Sequence, residues 1–134
     1  MRNISFSATI EKFRTRQKHC TRRLNWLDLK PGDHLMGCEK VQGIKKGGLV
    51  RMGAIEILEV NREPLTDIIQ YPCRVIPEKM QKDYTLSAYL LSETTLEGFP
   101  ELTPWQFVKM FQDMNGCELE TEITRILFDY VVKA

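Results

Sequence analysis

The sequence predicts a mixed β/α fold, in the form of a small β-barrel with flanking helices. Runs rich in Ile, Val and Leu alternate with turns that contain Gly and Pro, as strands do in small barrels. Two other segments show the spacing of apolar residues that is typical of helices. The chain has 134 residues, of which 43% are hydrophobic, and is therefore long enough to bury a core of its own. We expect a single domain over residues 1–134.

The N-terminal part is predicted to form a strand followed by a short helix. Ile4 and Phe6 alternate with polar residues, which is typical of a strand with one buried face. Ser7 or Thr9 is placed to cap a helix that runs to about Gln17. The basic residues at the end of this helix are favoured by the helix dipole, which explains part of their positive charge without any function.

The middle of the chain is predicted to contain two strands and two turns. The composition of Lys30–Asp33, with Pro and Gly at adjacent positions, indicates a tight reversal before a strand over His34–Val41. A glycine-rich basic loop over residues 43–48 precedes the strongest strand pattern, which covers Val50–Glu59. Gly53 inside that strand indicates a bulge or a sharp bend, as small barrels need at their corners.

The second half of the chain combines one segment without a regular pattern and two clear elements. Residues 66–95 contain two prolines, and the part over 79–91 fits either a helix or a strand. From Thr103 the sequence shows a helix start, with Thr as N-cap and Pro next to it, and Gly116 is placed to end this helix. Its predicted buried stripe is Phe107, Met110, Phe111 and Met114. Residues 122–132 are predicted to form a closing strand, with apolar positions at Ile123, Ile126, Phe128 and Val131.

A basic cluster over residues 16–23 is the most unusual feature of the sequence. Five of its eight side chains are basic or can become so, and a thiol and a hydroxyl lie among them. Residues 1–62 carry 13 Lys and Arg against 6 Asp and Glu, a charge of +7, whereas residues 63–134 carry 6 against 12, a charge of −6. This asymmetry favours an anionic partner for the first half, while the second half closes the fold or guards the site. The residues expected to contact nucleic acid are Arg16, Lys18, Arg22, Arg23, Lys45 and Lys46.

Other features of the sequence argue against membrane proteins and metalloproteins. No apolar run approaches the ~20 residues that span a bilayer, and the N-terminus lacks the apolar core of a secretory signal. We therefore expect a cytoplasmic protein without a membrane partner. The four cysteines, at positions 20, 38, 73 and 117, form no C-x-x-C pair and are typical of free thiols. The sequence predicts no metal and no cofactor.

Several motifs, taken in their order, resemble the ASCH family, whose members have a PUA-like barrel. These motifs are Ile4–Ser7, Lys18–Arg23, Leu29–Asp33, Gly43–Gly47, the stretch from Ile55 to Leu65, and Glu97–Phe99 followed by Thr103-Pro104 and Phe107. The chain is most similar to the short ASCH proteins of bacteria and phages. The resemblance covers nearly the whole chain except residues 66–95, which are longer than the usual connector. It implies a small PUA-like β-barrel with flanking helices.

The resemblance also implies two kinds of function. PUA-like barrels resemble RNA-binding modules, and some small ASCH proteins are acetylcytidine amidohydrolases that use a Lys, a Thr three residues later and a downstream Glu. The matching positions in this chain are Lys18, Thr21 and Glu97, which are therefore the candidate catalytic residues. In the amidohydrolases a hydrophobic residue separates the Thr from an Arg, whereas this chain has Arg22 at that position.

The chemistry of these candidate residues depends on the state of the lysine. A threonine hydroxyl becomes a nucleophile when a base takes its proton, and a lysine acts as that base only when its pKa is lowered. We expect the positive charges of Arg16, Arg22 and Arg23 to lower the pKa of Lys18 by like-charge repulsion. Glu97 would then protonate the leaving amine or orient the amide.

Three functional hypotheses follow, and the charge asymmetry favours the first. The first is a binding domain that holds RNA or a modified nucleotide or nucleoside in a basic cleft of the barrel; its RNA affinity would fall steeply with salt. The second is an amidohydrolase that removes an acyl group from a modified nucleoside, with activity that Lys18→Ala abolishes. The third is a bacterial or phage protein–protein interaction module, in which residues 66–95 form the contact surface.

Overall fold

The computed structural model describes residues 1–81 and 90–132, which form a small mixed α/β protein around a curled, five-stranded half-barrel. The strands are β1 (Arg2–Ser5), β2 (Cys20–Arg23), β3 (His34–Cys38), β4 (Arg51–Pro64), β5 (Cys73–Val75), β6 (Leu90–Ser92) and β7 (Glu122–Tyr130). The helices are α1 (Ile10–Arg14), α2 (Asp67–Gln70), α3 (Glu78–Gln81), α4 (Glu93–Leu96) and α5 (Pro104–Asn115). The sequence-based prediction of a mixed β/α class is therefore confirmed.

The five-stranded sheet has the order β1-β3-β4-β7-β2, so β1 and β2 form its two edges. β1 runs parallel to β3, and the other neighbouring strands are antiparallel. The register of the central strand β4 skips Met52 against β3 and Leu58 against β7. Such bulges bend a strand, and the first lies next to Gly53, where the sequence predicts one. Strands β5 and β6 form a separate two-stranded ribbon.

Three apolar clusters hold the elements together. The first surrounds a group of packed aromatic rings, Phe6, Phe13, Phe128 and Tyr130. The second packs α5 against α2 and β7, through Leu65, Ile68, Phe107, Val108, Phe111 and Ile123. The third joins β2 and β7 to the 66–95 segment, through Cys20, Ile76, Met80, Leu96 and Leu127. The 66–95 segment is thus fixed to the sheet by buried apolar contacts.

The helix predicted from Thr103 is confirmed, and its ends have the expected chemistry. The hydroxyl of Thr103 accepts a hydrogen bond from the backbone N–H of Gln106, whose side chain accepts one in return from the backbone of Thr103. Gly116 ends the helix in the left-handed conformation, with φ of 61°. The predicted buried stripe is wrong for Met114, which is 61% exposed because α5 packs on the protein along a narrower face.

The first helix is shorter than the sequence predicts, which changes the setting of the basic cluster. α1 ends at Arg14 rather than near Gln17, because the backbone of Arg16 turns into the left-handed region, with φ of 59°. Thr9 is the N-cap, but its side chain makes no capping hydrogen bond. The basic cluster therefore begins in a turn and continues as strand β2.

Three strand boundaries also differ from the prediction. β3 ends at Cys38 rather than at Val41, because a loop with three glycines follows. β4 continues to Pro64, beyond the predicted end, since it pairs with β7 along this part. β7 ends at Tyr130, and Val131 is 38% exposed instead of buried.

The connector over residues 66–95 contains short elements in the part that the structure describes. It includes α2, β5, α3 and β6 and leads into α4. The predicted choice between helix and strand over 79–91 falls mostly on residues 82–89, which lie outside the described residues. Within residues 1–81 and 90–132, none of the helices has the length and apolar character needed to cross a membrane.

Replacement of Gly37 and Gly53, which are paired across β3 and β4, tests the packing of the aromatic cluster. A Cβ at Gly37 would lie 2.3 Å from Cζ of Phe13, and this ring is held in place by the ring of Phe6 stacked on it. A Cβ at Gly53 would meet no atom within 4 Å. We expect Gly37→Ala to lower the free energy of unfolding by about 1–3 kcal/mol. Gly53→Ala should leave it unchanged or raise it by up to ~1 kcal/mol. Urea denaturation measures both, and equal losses in the two variants would contradict this account of the packing.

Candidate functional site

A cleft of about 160 Å³ lies between the edge strands β1 and β2, the residues that follow α4, and helix α5. Its charged and amide-bearing lining residues are Lys18, Arg22, Arg23, Glu97 and Asn115, and its hydroxyl-bearing ones are Ser5, Ser7, Thr9 and Thr21. Its apolar lining consists of Phe6, Ala8, Phe99, Phe107, Met110, Phe111 and Met114. The three residues predicted as catalytic, Lys18, Thr21 and Glu97, therefore line the same cleft.

Lys18 lies just before β2 and is almost fully buried, with 3% of its surface exposed. Its Nζ donates hydrogen bonds to the backbone carbonyl oxygen of Glu97 and to Oε1 of the same residue, the latter at 3.3 Å. The rings of Phe6 and Phe99 each lie 5.9 Å from Nζ. Burial lowers the pKa of Lys18 below its ordinary value of 10.5, and the negative charge of Glu97 opposes this effect only in part.

The cause of this pKa shift differs from the prediction. We expected three arginines of the basic cluster to lower the pKa of Lys18 by repulsion. Burial is the largest cause, and among the arginines of the cluster only Arg23 adds to it. Arg16 is exposed, whereas Arg22 is bound to carboxylates that balance its charge.

Glu97 follows the last residue of α4 and bridges two cations. Its Oε1 accepts the hydrogen bond from Lys18, and its Oε2 accepts one from Nη1 of Arg22 at 2.9 Å. The backbone N–H of His19 donates to the carbonyl oxygen of Leu96 at 2.8 Å, which ties α4 to the start of β2. The position of the Glu97 carboxylate relative to Lys18 is therefore fixed by both side-chain and backbone contacts.

Behind Glu97 lies a second buried carboxylate, that of Glu93. Its Oε1 accepts hydrogen bonds from Nη2 of Arg22 and Nε of Arg125, both at 2.6 Å. Its Oε2 accepts a further bond from Nη2 of Arg125 at 2.9 Å. Burial alone would raise the pKa of Glu93, but the hydrogen bonds from Arg125 and the charge of Arg22 outweigh it and hold this pKa below 4.5.

Thr21 lies on β2 and is also buried, with 4% of its surface exposed. Its Oγ1 accepts a hydrogen bond from Nε of Arg23 at 2.9 Å, and Nη2 of the same arginine donates to the carbonyl oxygen of Ser5 at 2.5 Å. Among the residues that the structure describes, no acceptor takes the proton of the Thr21 hydroxyl, and no hydrogen bond joins it to Lys18. Thr21 lines the cleft, so its hydroxyl is placed beside a ligand that enters there.

The basic residues predicted to bind nucleic acid are not all at this cleft. Lys18, Arg22 and Arg23 line it, whereas Arg16 lies elsewhere, with its guanidinium 5.8 Å from the ring centre of Tyr130. Lys45 and Lys46 are exposed in the loop between β3 and β4 and also lie away from the cleft lining. With all lining groups ionised, Lys18, Arg22 and Arg23 against Glu97 give the cleft a formal charge of +2.

Sequence reasoning missed several residues that shape the site. Glu93 and Arg125 form the buried ion pairs behind Glu97. The hydroxyl of Tyr130 donates a hydrogen bond to the backbone carbonyl oxygen of Lys18, which fixes the turn before β2. The excess of acidic residues in the second half of the chain was the one available signal for the carboxylates, but it gave neither their burial nor their partners.

The thiols do not add a nucleophile to the cleft. Burial raises the pKa of Cys20 to about 12, and the charge of Glu97 acts in the same direction, so this thiol is protonated at neutral pH. Within residues 1–81 and 90–132, no three His, Cys, Asp or Glu side chains come together as metal ligands would.

Comparison of the chain with protein-family models, with curated proteins and with solved structures gives no significant match. Its function is therefore inferred from the chemistry of the cleft.

Replacement of Glu93 tests whether the buried ion pairs hold α4 to the sheet. Glu93→Gln removes the buried carboxylate that pairs with both Arg22 and Arg125. Among the described residues, Arg22 then keeps only Glu97 at hydrogen-bond distance, and Arg125 keeps only the more distant Glu59. We expect the free energy of unfolding to fall by about 3–5 kcal/mol. The control is Glu56→Gln, which removes an exposed ion pair with Lys79 and should cost less than about 1 kcal/mol.

The comparison of wild type with Glu93→Gln also gives an expected pH dependence of stability. Because the pKa of Glu93 in the folded protein lies below its ordinary value of 4.5, its ion pairs stabilise the fold fully above that pH. Their contribution is lost as pH falls through the folded pKa. The stability difference between wild type and Glu93→Gln should therefore shrink at acidic pH. A difference that grows on acidification would contradict this role.

Proposed function

We propose that this protein is an amidohydrolase that removes an acyl group from the exocyclic amine of a modified nucleoside, with Lys18, Thr21 and Glu97 as catalytic residues. The observation that carries the proposal is that these three side chains line one cleft, although Glu97 lies far from the other two in the sequence. A site that only attracts phosphate has no need of a lysine buried beside a carboxylate, because burial removes its charge from solvent.

The first half of the proposed reaction transfers the acyl group to the protein. Thr21 Oγ1 attacks the carbonyl carbon of the amide while the uncharged amine of Lys18 takes the hydroxyl proton. As the C–N bond breaks, Lys18 gives this proton to the departing nitrogen. The nucleoside leaves with a free amino group, and the acyl group remains as an ester of Thr21.

The second half restores the protein. Water attacks the carbonyl carbon of the ester, and Lys18 takes a proton from that water. As the C–O bond to Thr21 breaks, Lys18 returns the proton to Oγ1, and a carboxylic acid is released. A lysine can perform both transfers only if its pKa lies near the working pH, and the burial of Lys18 moves its pKa in that direction.

The neighbouring residues suit supporting roles in this reaction. Arg23 already donates a hydrogen bond to Thr21 Oγ1 and so stabilises the negative charge that develops there as the proton leaves. Glu97 accepts hydrogen bonds from both Lys18 and Arg22, and a carboxylate held in this way is better suited to positioning Lys18 than to protonating the leaving amine.

The size and lining of the cleft support a nucleoside as the substrate. A cleft of about 160 Å³ has room for a single base but not for a nucleic-acid helix. Phe6, Phe99 and Phe107 supply flat apolar surface on which a base can stack, and the side-chain amide of Asn115 can both donate and accept hydrogen bonds.

The half-barrel also supports assignment to a PUA-like fold of the ASCH type. Its two edges, β1 and β2, are connected by a side chain, because Arg23 on β2 donates to the carbonyl oxygen of Ser5 on β1. A sheet whose edges are this close has nearly the curvature of a closed barrel. We include the closed PUA-like barrel in the proposal on this ground.

A second candidate function is binding of RNA or a modified nucleoside without turnover. The formal charge of +2 in the cleft favours it, as do the exposed Lys45 and Lys46. It predicts an affinity that falls with salt and that changes little when Thr21 is replaced. Hydrolysis of an acylated nucleoside would show that binding without turnover is not the whole function of the site.

Replacement of the catalytic residues tests the hydrolase directly. We expect Lys18→Ala, Thr21→Val and Glu97→Gln each to lower kcat/KM on N4-acetylcytidine by at least about 100-fold. The first two remove groups that react with the substrate, and the third removes the carboxylate that positions Lys18. Thr21→Ser should keep part of the activity because it retains a hydroxyl. Lys45→Ala is the control for nonspecific loss of charge and should leave turnover unchanged. Activity that survives both Lys18→Ala and Glu97→Gln in folded protein would rule out the assignment.

The pH profile provides an independent test of Lys18 as the base. Because the base must be uncharged, kcat/KM should rise with pH as the Lys18 ammonium loses its proton, with a midpoint below its ordinary pKa of 10.5. Lys18→Arg keeps a positive charge that does not titrate, so this variant should stay inactive over the whole range. A profile that falls over the same range would contradict the role of Lys18.

A further inference from the structure

The outer face of α5 is apolar although it faces solvent. Trp105 and Met114 are each 61% exposed, the first near the start of the helix and the second near its end. They line a shallow groove together with Gln106, Lys109, Met110 and Asp113. A large exposed indole on a helix that has no need of it for packing indicates a contact surface rather than part of the core.

This groove adjoins the cleft. Met110 and Met114 line both of them, so the thioether side chains of these two residues form the boundary between the two spaces. A ligand that extends from the cleft over Met110 and Met114 enters the groove that Trp105 also lines. The groove is therefore placed to hold a second part of the same molecule.

The chemistry of the groove favours a flat neutral group as its occupant. Its two charged side chains, Lys109 and Asp113, lie 3.3 Å apart and balance each other. The cleft, by contrast, has the guanidinium groups of Arg22 and Arg23 in its lining. An indole surface without net charge suits stacking on a nucleobase, which needs no particular base because every base has a flat π-face.

We propose that Trp105 is a second subsite, on which the nucleobase next to the acylated one stacks when the substrate is a single-stranded RNA. The proposal rests on the proposed function for the identity of the group in the cleft. It makes the preferred substrate an acylated residue within an oligonucleotide rather than the free nucleoside, with Trp105 determining that preference.

The test compares two substrates in three proteins. The substrates are N4-acetylcytidine and a single-stranded RNA trinucleotide with N4-acetylcytidine in the middle, which presents a neighbouring base on either side. Wild type should have a kcat/KM about tenfold higher for the trinucleotide, and Trp105→Ala should remove this advantage while the nucleoside is turned over as before. Trp105→Phe should keep part of it. The control is Leu27→Ala, which removes an apolar side chain that is 70% exposed and lies outside both linings.

A binding measurement separates failure of this inference from failure of the hydrolase. In a Trp26→Phe background Trp105 is the one remaining tryptophan, and stacking on it should quench its fluorescence when an unmodified RNA trinucleotide is added. Quenching without any hydrolysis would overturn the hydrolase but support the subsite. If both substrates are hydrolysed, and the kcat/KM for each is the same in wild type and in Trp105→Ala, the hydrolase stands and the subsite is overturned.

Two further outcomes would also overturn the subsite. If Trp105→Ala lowers kcat/KM for the nucleoside and the trinucleotide equally, Trp105 has a structural role. If N4-hexanoylcytidine rather than the trinucleotide gains the Trp105-dependent advantage, the groove holds the acyl chain.

Discussion

The structure depends on a chain of buried basic and acidic side chains, in which each group hydrogen-bonds to one of the opposite kind. Lys18, Glu97, Arg22, Glu93 and Arg125 are linked by consecutive hydrogen bonds in the interior, where an unpaired charge costs several kcal/mol. The cations come from the approach to β2, from β2 itself and from β7, and both carboxylates come from α4 or the residue after it. This requirement fixes α4 against the sheet. Because Glu97 belongs to the same chain of hydrogen bonds, the position of the candidate catalytic lysine is set by the packing of α4 on the sheet.

Local patterns in the sequence predicted the elements whose causes are local. The helix from Thr103 was correct because an N-cap, a proline and a terminal glycine act within a few residues. The mixed fold class could also be predicted from local patterns. The grouping of Lys18, Thr21 and Glu97 could be predicted only through the resemblance to a family. Burial could not be read from a helix pattern alone, since the exposure of Met114 depends on how much of α5 the rest of the protein covers.

The charges show most clearly where sequence reasoning stops. The sequence presents a basic first half and an acidic second half, which suggest two surfaces of opposite sign. In the structure Arg22 and Glu93, from opposite halves, instead bury their charges against each other. The lowered pKa of Lys18 has the same origin: burial is a property of the folded chain, whereas repulsion by sequence neighbours was the cause that the sequence suggested. Arg16 belongs to the basic cluster by its position in the sequence, yet its left-handed backbone turns its side chain toward Tyr130 and away from the cleft.

The order of strands in the sheet has a consequence for how the protein is made. Strand β2 joins the sheet only through β7, although about a hundred residues separate them in the sequence. A growing chain that has exposed Lys18 and Thr21 therefore has no partner strand for them until residues 122–130 have left the ribosome. Pairings between such distant segments form slowly and late. The cleft should thus take shape only after β2 has paired with β7, together with the charge pairs that surround it.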